Sequence, residues 1–322
     1  MSPLKLSIII VSYHSGDDLR RILPKFSDEL RGWSHEVIVV DNAPTDGAAE
    51  MIRRELPYVR LVEPGRNLMY GKGNNAGLEV ARGEWLFILN PDVDWQPGAL
   101  RRFLDRGVAR KSVGVVGPRI TAADGRIQRT AHHRFPSAWT VFVDYCLPVQ
   151  QFFLRWPRHP YLDSRADHRR DHTVAHLTGV CLLLPRATFL QTGGFDPRFT
   201  LYLEETEWQK RMADLGLECY YLAADSLVHY GSSQKTFAQA SRHYLWGLRR
   251  YADRHWSGDK RFLRLRVSIW LATVISDVIL LGFWPLSWFL GRAGRRLRHY
   301  ARAYARLTFN LLRYPQQPPT PS

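Results

Sequence analysis

The chain has 322 residues, of which 45% are apolar and 12% aromatic, and it carries a net charge of +15. This length suits one large or two modest domains, and the apolar fraction excludes wholesale disorder. The three cysteines, Cys146, Cys181 and Cys219, lie far apart and form no C-x-x-C pair. Their spacing argues against a zinc module or a disulfide framework and is typical of a reducing compartment.

The positive charge is concentrated at the C-terminal end. After Tyr230 there are 14 arginines and two lysines against three aspartates, so the first 230 residues are nearly neutral. A basic tail indicates contact with nucleic acid or with an anionic membrane surface. The apolar stretch within this tail, Val267–Leu290, favours the membrane.

The first 95 residues alternate between strand and helix patterns. The N-terminus has one lysine and a short apolar run, which predicts a first β-strand and not a signal peptide. The predicted strands are Leu6–Ser12, Glu36–Val40, Val59–Val62 and Trp85–Leu89, and the predicted helices are Asp17–Leu30, Thr45–Leu56 and Asn74–Ala81. This alternation predicts parallel pairing and a doubly wound α/β sheet.

The first two strands end in polar residues at the edge where open α/β sheets bind ligands. Ser12 and Tyr13 end the first strand, and Asp41 follows the second. Asp41 can accept an N–H from a nucleobase while Tyr13 stacks on its face. A capped turn before the helix at Thr45 explains Asp41 equally well.

Two further carboxylates follow the strand at Trp85–Leu89, in the run Asn-Pro-Asp-Val-Asp. Pro91 stops the strand because it has no N–H for the ladder. Asp92 and Asp94, one residue apart, can then share a Mg²⁺ with substrate phosphates. An Asx-rich turn would explain the pair on its own, but the neighbouring motifs favour the metal site.

A glycine-rich segment lies between Asp41 and the Asn-Pro-Asp-Val-Asp run. Four glycines occur in the 13 positions from Gly65 to Gly77, together with Arg66 and Lys72. The pattern predicts a flexible cationic loop leading into a helix N-terminus, where backbone N–H groups suit a diphosphate. It matches neither a Walker A motif nor G-x-G-x-x-G.

A second acidic cluster contains Glu204, Glu205 and Glu207. One of these glutamates can act as general base on an acceptor hydroxyl, while carboxylates are also favoured at a helix N-terminus by the dipole. His229 follows a strand-like run and precedes a turn of small residues, where it can complete a metal site.

Three other histidines, His168, His172 and His176, recur every four residues. This spacing would place them on one face of a helix, and we do not expect them to bind metal. The segment 120–176 is irregular and rich in Arg, His and Pro, which makes it a candidate for loops that face the acceptor.

Taken in order, these motifs resemble family 2 of the inverting glycosyltransferases, which have a GT-A fold, and in particular its rhamnosyltransferase-like branch of bacterial cell-surface polysaccharide synthesis. The likeness runs from about residue 5 to about residue 235. Its elements are SIIIVSY (7–13), VVDN (39–42), GKGNNAG (71–77), LNPDVD (89–94), GGFD (193–196), LYLEETEW (201–208) and His229. Each is weak alone, but the ordered set is specific to the family.

The resemblance implies a role for each matched position. The implied nucleotide-sugar-binding residues are Ser12, Tyr13, Asp41, Arg66, Lys72, Asn75 and Asp92; the metal ligands are Asp94, Asp92 and His229; and the acceptor-side residues are Gly179 and Glu207. Glu205 matches the carboxylate that deprotonates the acceptor. Many members have Glu-Asp followed by Asp here, so the choice between Glu205 and Glu204 stays open.

The resemblance also implies an activity, which is metal-dependent transfer of a sugar from a nucleotide diphosphate donor to a polyprenyl-diphosphate-linked saccharide. L-rhamnose from dTDP-rhamnose, with Mg²⁺ or Mn²⁺, is our best prediction, at the cytoplasmic face of the bacterial inner membrane. The partners implied are the donor, the lipid-linked acceptor and an anionic membrane surface, without nucleic acid, and self-association into a homo-oligomer is left open. The alternatives are a nucleotidyltransferase and a non-catalytic membrane scaffold with this fold.

We predict three regions: a catalytic domain at 1–233, a basic helical membrane-associating region at 234–314, and a disordered tail at 315–322. The apolar stretch Val267–Leu290 exceeds the ~20 residues that span a bilayer, but Asp277 and Pro285 disfavour a simple span. With arginines on both flanks, a bent or re-entrant hairpin that returns to the same side is predicted. A buried hairpin of a soluble domain is the alternative.

A basic interfacial helix is predicted after this stretch. Its apolar residues recur at helical spacing, at Leu297, Tyr300, Tyr304, Leu307 and Leu311, with arginines between them.

Overall fold

The computed structural model describes residues 4–43, 45–110, 112–146, 149, 167–231, 242–258, 260–288, 294–295 and 302. The predicted interfacial helix and the predicted disordered tail therefore lie outside the described residues. Cys146, Cys181 and Cys219 are buried and free of disulfides.

The centre of the molecule is a mixed β-sheet. The described strands are β1 Leu6–Ser12, β2 His35–Asp41, β3 Arg60–Val62, β4 Trp85–Leu89, β5 Val93–Asp94, β6 Val113–Thr121, β7 Ile127–Gln128, β8 Ala131–His132, β9 His172–Val174, β10 His176–Leu177, β11 Cys181–Pro185 and β12 Glu218–His229. Ten of them form one sheet, with the order β3-β2-β1-β4-β11-β6-β12-β5, while β7 pairs with β6 and β9 with β12. Strands β8 and β10 form a separate pair.

Strand direction divides the sheet into two parts. Strands β3, β2, β1 and β4 run parallel, whereas β11 runs antiparallel to β4 and β6. The short strand β5 pairs antiparallel with the end of β12. Parallel pairing, predicted from the strand–helix alternation, is thus confirmed for the first four strands of the chain, and the complete sheet is mixed.

The described helices flank this sheet. They are α1 Gly16–Ile22, α2 Lys25–Glu29, α3 Ala48–Glu55, α4 Met69–Val80, α5 Ala99–Val108, α6 Ala138–Tyr145, α7 Arg186–Thr192, α8 Glu204–Asp214, α9 Arg242–His255 and α10 Arg261–Gly282, with 3₁₀ turns at Asp167–Arg169 and Pro285–Trp288.

The predicted strands are confirmed to within a residue at each end, but the three helix predictions need correction. The helix predicted for Thr45–Leu56 begins at Ala48 and ends at Glu55. The single helix predicted for 17–30 is broken into α1 and α2 at Pro24, which has no N–H to continue a helix. Helix α4 begins at Met69 and not at Asn74.

The earlier start of α4 corrects the prediction of a flexible phosphate loop, because Gly71, Lys72 and Gly73 are helical. The glycines allow close packing on the sheet. A Cβ at Gly77 would lie 2.5 Å from Cγ2 of Ile9, and one at Gly73 would lie 2.9 Å from Cγ1 of Val11.

Alternate residues of a strand face opposite sides of the sheet, and two apolar cores result. Ile8 and Ile10 pack with residues of α1, α2, α3 and α5 on one side, whereas Ile9 packs with Leu78 of α4 and Trp208 of α8 on the other. The sheet is therefore covered on both faces, as expected for a doubly wound fold.

A third apolar core joins the C-terminal helices to the rest of the chain. Tyr145 of α6 and Leu203 pack there with Leu248 of α9 and Ile269 of α10. Helix α10 ends at Gly282, just before the 3₁₀ turn that starts at Pro285. The interruption of the apolar stretch near Pro285 is therefore confirmed, while the hairpin itself stays a prediction.

Candidate active site

The ends of β1 and β2 come together as expected. Ser12 and Asp41 are register partners at the ends of these strands. Asp41 is 3% exposed, its Oδ1 accepts the backbone N–H of Ala43 at 3.0 Å, and burial raises its pKa. Tyr13 next to them is 43% exposed, so its ring is accessible for stacking.

Asn42, which the sequence argument did not single out, ties this edge to α4. Its Oδ1 accepts the N–H of Leu68 at 3.3 Å, and its Nδ2 donates to the carbonyl of Met69 at 3.1 Å. These bonds hold the entry to α4, where Met69 has a φ of +64°.

The two aspartates after β4 have different partners. Asp92 lies in the turn, where its Oδ2 is 3.3 Å from Nε2 of His229. The backbone carbonyl of Asp92 also accepts the N–H of Tyr230 at 2.9 Å. The structure thus brings together two of the three predicted metal ligands, Asp92 and His229.

Asp94 lies in β5, and cations surround its carboxylate. It forms an ion pair with Lys25, and its Oδ2 lies 3.5 Å from Nε of Arg21. Its Oδ1 also accepts the backbone N–H of Trp95 at 2.7 Å. Asp94 therefore anchors α1 and α2 to the end of the sheet.

The second acidic cluster begins helix α8. Two residues with left-handed backbone, Tyr202 (φ +69°) and Leu203 (φ +68°), precede Glu204 and Glu205 in its first turn. The positive end of the helix dipole favours carboxylates there.

Glu204 and Glu205 differ in their environments. Glu204 is 3% exposed, and its Oε2 has no hydrogen-bond partner among the described residues. Burial, together with the charge of Glu205, raises the pKa of Glu204 well above its ordinary value. Glu205 is half-buried.

A short segment before β11 joins the two acidic clusters. The carbonyl of Val180 accepts the N–H of Asn90, two residues before Asp92, at 3.0 Å. The carbonyl of Gly179 accepts the hydroxyl of Tyr70, whose pKa is raised by burial and by the charges of Glu205 and Glu204. Gly179 and Val180 therefore lie between the aspartate side and the glutamate side.

Position 179 requires glycine, because a Cβ there would lie 2.9 Å from the hydroxyl oxygen of Tyr70. A cleft of about 650 Å³ opens beside this segment and is lined, among others, by Arg129, Thr178, Val180 and His229. This volume is in the range of small-molecule sites.

Some predicted site residues have structural contacts instead. Both polar atoms of the Asn75 amide bond to the backbone of Phe195, at 2.8 and 2.9 Å. Asn75 thus holds α4 to the loop before α8.

The two cations of the predicted phosphate loop, Arg66 and Lys72, are exposed, with Lys72 on the surface of α4.

Glu207, predicted on the acceptor side, lies in a buried ionic cluster. Its Oε1 is 3.0 Å from Nε of Arg211, 3.1 Å from Nε of Arg254 and 3.3 Å from Nε2 of His255. Burial opposes ionisation, but hydrogen bonds from His255 and Arg211 hold the pKa of Glu207 below its ordinary value. Glu207 therefore joins α8 to α9.

The predicted helical face of histidines is wrong. His168 lies in a 3₁₀ turn, His172 in β9 and His176 in β10, so no helix aligns them. Burial lowers the pKa of His176 to about 3. Across the described part of the chain, no group of three or more His, Cys, Asp or Glu side chains is arranged to hold a metal.

Tyr70 and Gln128 were not predicted as site residues. Gln128 in β7 contacts His229, with Oε1 2.9 Å from Nδ1. Nothing local marks either residue, because each acts on a position more than a hundred residues away.

The fold and this edge of polar residues define a glycosyltransferase. The model of glycosyl transferase family 2 matches residues 7–191, more than half of the chain, and the chain belongs to this family.

Among its relatives is the N-acetylglucosaminyl-diphospho-decaprenol L-rhamnosyltransferase of Mycobacterium tuberculosis, which is 30% identical over 239 residues, covering 70% of this chain and 76% of that protein. The O-antigen biosynthesis protein RfbC of Myxococcus xanthus is 26% identical over 80% of this chain but only 20% of that protein.

The fold is similar to that of a mannosyltransferase from Pyrobaculum calidifontis, solved with GDP-Man and Mn²⁺. The TM-score is 0.58 at 17% identity, and the match covers 97% of this chain and 88% of that one. This likeness supports the GT-A fold.

Proposed function

We propose that this protein is a metal-dependent inverting glycosyltransferase that moves L-rhamnose from dTDP-rhamnose to a saccharide carried on a polyprenyl diphosphate. The observation that carries the proposal is the meeting of two acidic clusters on either side of Gly179 and Val180, linked through Asn90 and Tyr70. The aspartate cluster suits a cation that binds the departing diphosphate, and the glutamate cluster suits deprotonation of the attacking hydroxyl.

The mycobacterial relative supports the choice of substrates. Its name specifies L-rhamnose as the transferred sugar and an N-acetylglucosaminyl-diphospho-decaprenol as the acceptor. The 30% identity extends over most of both chains. We therefore place this protein in the same class of reaction, in cell-surface polysaccharide synthesis.

The cation site is proposed at Asp92 and His229. Nε2 of His229 is buried without a hydrogen-bond partner among the described residues, and Oδ2 of Asp92 lies 3.3 Å away. A carboxylate and an imidazole nitrogen facing each other fit Mg²⁺ or Mn²⁺ together with substrate phosphates. When bound, the cation would offset the negative charge of the diphosphate leaving group.

Glu205 is proposed as the general base. Glu204 is buried, and burial together with the charge of Glu205 raises its pKa, which favours Glu205 over Glu204 as the ionised carboxylate. Only an ionised carboxylate can take a proton from the acceptor hydroxyl.

The reaction is a direct displacement. The acceptor oxygen forms a bond to the anomeric carbon as the bond from that carbon to the diphosphate oxygen breaks. The hydroxyl proton passes to Glu205, and the nucleoside diphosphate leaves with the bonding electrons. Attack opposite the leaving group inverts the anomeric centre.

A membrane position is proposed from helix α10. Among the described residues, Leu263–Gly282 forms one helix long and apolar enough to cross a membrane by length and composition alone. One stripe of it, from Leu265 to Leu280, packs on the protein, while Trp270, Leu271 and Val278 are exposed. We infer that the exposed face enters the cytoplasmic leaflet, beside a lipid-linked acceptor.

The test is a transfer assay with the full chain in detergent. dTDP-rhamnose and a polyprenyl diphosphate N-acetylglucosamine should give an acceptor heavier by one deoxyhexose, detected by mass spectrometry, and excess EDTA should stop the reaction. Asp92→Asn is the inactive control. Transfer of the dTMP group with release of rhamnose 1-phosphate would instead favour a nucleotidyltransferase, and no reaction with any nucleotide sugar would favour a scaffold.

A further inference from the structure

The side chain of Gln128 contacts His229 twice, once at the ring and once at the backbone carbonyl. Oε1 of Gln128 lies 2.9 Å from Nδ1 of His229, and Nε2 of Gln128 donates to the backbone carbonyl of His229 at 3.0 Å. A carbonyl oxygen can only accept, so the amide must present its NH₂ group there. Its oxygen therefore faces Nδ1, and Nδ1 must carry a hydrogen.

This hydrogen determines the chemistry of the other ring nitrogen. A neutral imidazole has one N–H, so Nε2 holds a lone pair when Nδ1 is protonated. That Nε2 is buried without a hydrogen-bond partner among the described residues, and it lies 3.3 Å from Oδ2 of Asp92. A nitrogen lone pair and a carboxylate oxygen at this distance repel each other unless a cation or a second ring proton lies between them.

The space next to these atoms is kept open by Gly231. A Cβ at this position would lie 2.4 Å from Nε2 of His229 and 2.9 Å from Oδ2 of Asp92. Any side chain at 231 would therefore collide with the pair.

The backbone also fixes where Gln128 lies. Strand β7 pairs antiparallel with β6, with Gln128 opposite Ile120, and β6 pairs with β12 at Thr121 and Val228. Gln128 is thus held beside the end of β12, where His229 lies.

We propose that Gln128 is a positioning residue for the cation site, which holds His229 as the Nδ1–H tautomer and turns Nε2 toward Asp92 as a ligand. This role rests on the proposed cation-dependent transfer. Groups behind metal-ligating histidines commonly fix tautomer and ring orientation, and their loss typically lowers metal affinity by about 10- to 100-fold.

The first test measures the tautomer in the metal-free protein. Long-range ¹H–¹⁵N correlation spectra at pH 8, with His229 identified by comparison with His229→Ala, should show a proton on Nδ1 and none on Nε2. Gln128→Met should lose this preference, whereas Gln128→Glu, which can still accept from Nδ1, should keep it. A proton on Nε2 in the wild type would overturn the proposal.

The second test measures Mn²⁺ affinity from the free-ion signal in electron paramagnetic resonance. Gln128→Met should bind Mn²⁺ about 10- to 100-fold more weakly than the wild type, and Gln128→Glu should stay closer to it. Gln96→Met, at an exposed glutamine, is the matched control. In a His229→Ala background, Gln128→Met should cause no further loss.

The outcomes separate this role from the function it rests on. If the wild type binds Mn²⁺ and Gln128→Met binds it equally well, the role of Gln128 alone is overturned. An equal loss with and without His229 would also overturn it, since Gln128 would then act through general structure. A wild type that binds no Mn²⁺ would overturn both the cation dependence and the role of Gln128.

Discussion

At the scale of single residues, the two aspartates of the D-x-D run have separate environments. Asp92 faces His229, whereas Asp94 pairs with Lys25 and Arg21. The D-x-D pattern alone does not distinguish the two carboxylates, but their different partners in the structure give them different proposed roles.

We expect Asp92→Asn and Asp94→Asn to have opposite profiles. Asp92→Asn should lower turnover by at least about 100-fold, because charge stabilisation by a bound cation is worth several kcal/mol and about 1.4 kcal/mol is tenfold in rate. Asp94→Asn should lower turnover less than about tenfold but destabilise the fold by about 1–3 kcal/mol, since Lys25 and Arg21 lose their anion. Initial rates and urea unfolding measure the two effects; an inactive, fully stable Asp94→Asn would contradict this division.

We also expect substitutions of Glu204 and of Glu205 to have different effects on turnover. Glu205→Gln should lower turnover by about 10²- to 10⁴-fold, the usual contribution of a general base, while still binding the nucleotide sugar. Glu204→Gln should remain active, because burial raises the pKa of Glu204 and favours its neutral form, which an amide replaces without a change of charge. Steady-state rates and donor titrations test this; an inactive Glu204→Gln beside an active Glu205→Gln would move the base by one residue.

The buried carboxyl of Glu204 also predicts how stability depends on pH. Its pKa is raised in the folded state, so the folded chain holds its proton more tightly than the unfolded chain. The Glu204 contribution is therefore fully present below the unfolded pKa and is lost as pH rises toward the folded pKa.

We expect Glu204→Gln to remove this loss of folding stability at rising pH. As the pH rises above the ordinary glutamate pKa of 4.5, its free energy of unfolding should improve relative to the wild type, by up to about 1.4 kcal/mol per pH unit. Denaturant titrations of both proteins across this range are the measurement. A constant difference between them would show that Glu204 does not titrate in this window.

At the scale of elements, α4 shows how a glycine pattern can serve packing. Gly73 and Gly77 lie on the face that touches β1, and their spacing of four residues keeps them on one side of the helix. The helix can therefore approach the sheet closely enough for Asn75 to reach Phe195.

Gly77→Ala tests this packing role. The added Cβ would lie 2.5 Å from Cγ2 of Ile9, and overpacking of this kind costs about 1–3 kcal/mol, against the roughly 1 kcal/mol that alanine adds to helix propensity. We expect net destabilisation without a change in diphosphate affinity. Gly16→Ala, where nothing lies within 4 Å, is the matched control; reduced nucleotide binding in a stable Gly77→Ala would restore the phosphate-loop interpretation.

At the scale of the whole molecule, the C-terminal helices belong to the same packed body as α8. Arg254 of α9 contacts both Glu207 and Asp196, and α10 packs on α6 through Leu265, Ile269 and Ala272. A helix held along one side by the protein cannot be surrounded by lipid, so we expect it to lie in the membrane surface with its outer face in the acyl region.

Charges on that outer face should detach the protein from membranes. We expect the wild type to float with anionic vesicles and to resist extraction by high salt, whereas Leu271→Glu combined with Val278→Glu should remain unbound. Leu190→Glu, at an exposed leucine of α7, is the control. Flotation of the double variant like the wild type would contradict a lipid contact at α10, and release of the wild type by salt alone would leave only an electrostatic attachment.

Much of the fold and part of the site follow from local sequence. The strands could be predicted because buried strands such as Trp85–Leu89 are short apolar runs with clear stops. The family could be recognised because its motifs stand at strand ends, where parallel pairing brings them to one edge. The helix break at Pro24 was missed even though proline is a local signal, since the amphipathic pattern continues through it.

Only the tertiary structure decided which of these residues act together. The pairing of β5 with β12 sets His229 beside Asp92, and the packing of α8 against α4 buries Glu204 next to Gly71. Local pattern determines where a strand or helix ends, because it depends on propensity and periodicity. Register and burial depend on contacts between distant segments, and these contacts separate Asp92 from Asp94 and Glu205 from Glu204.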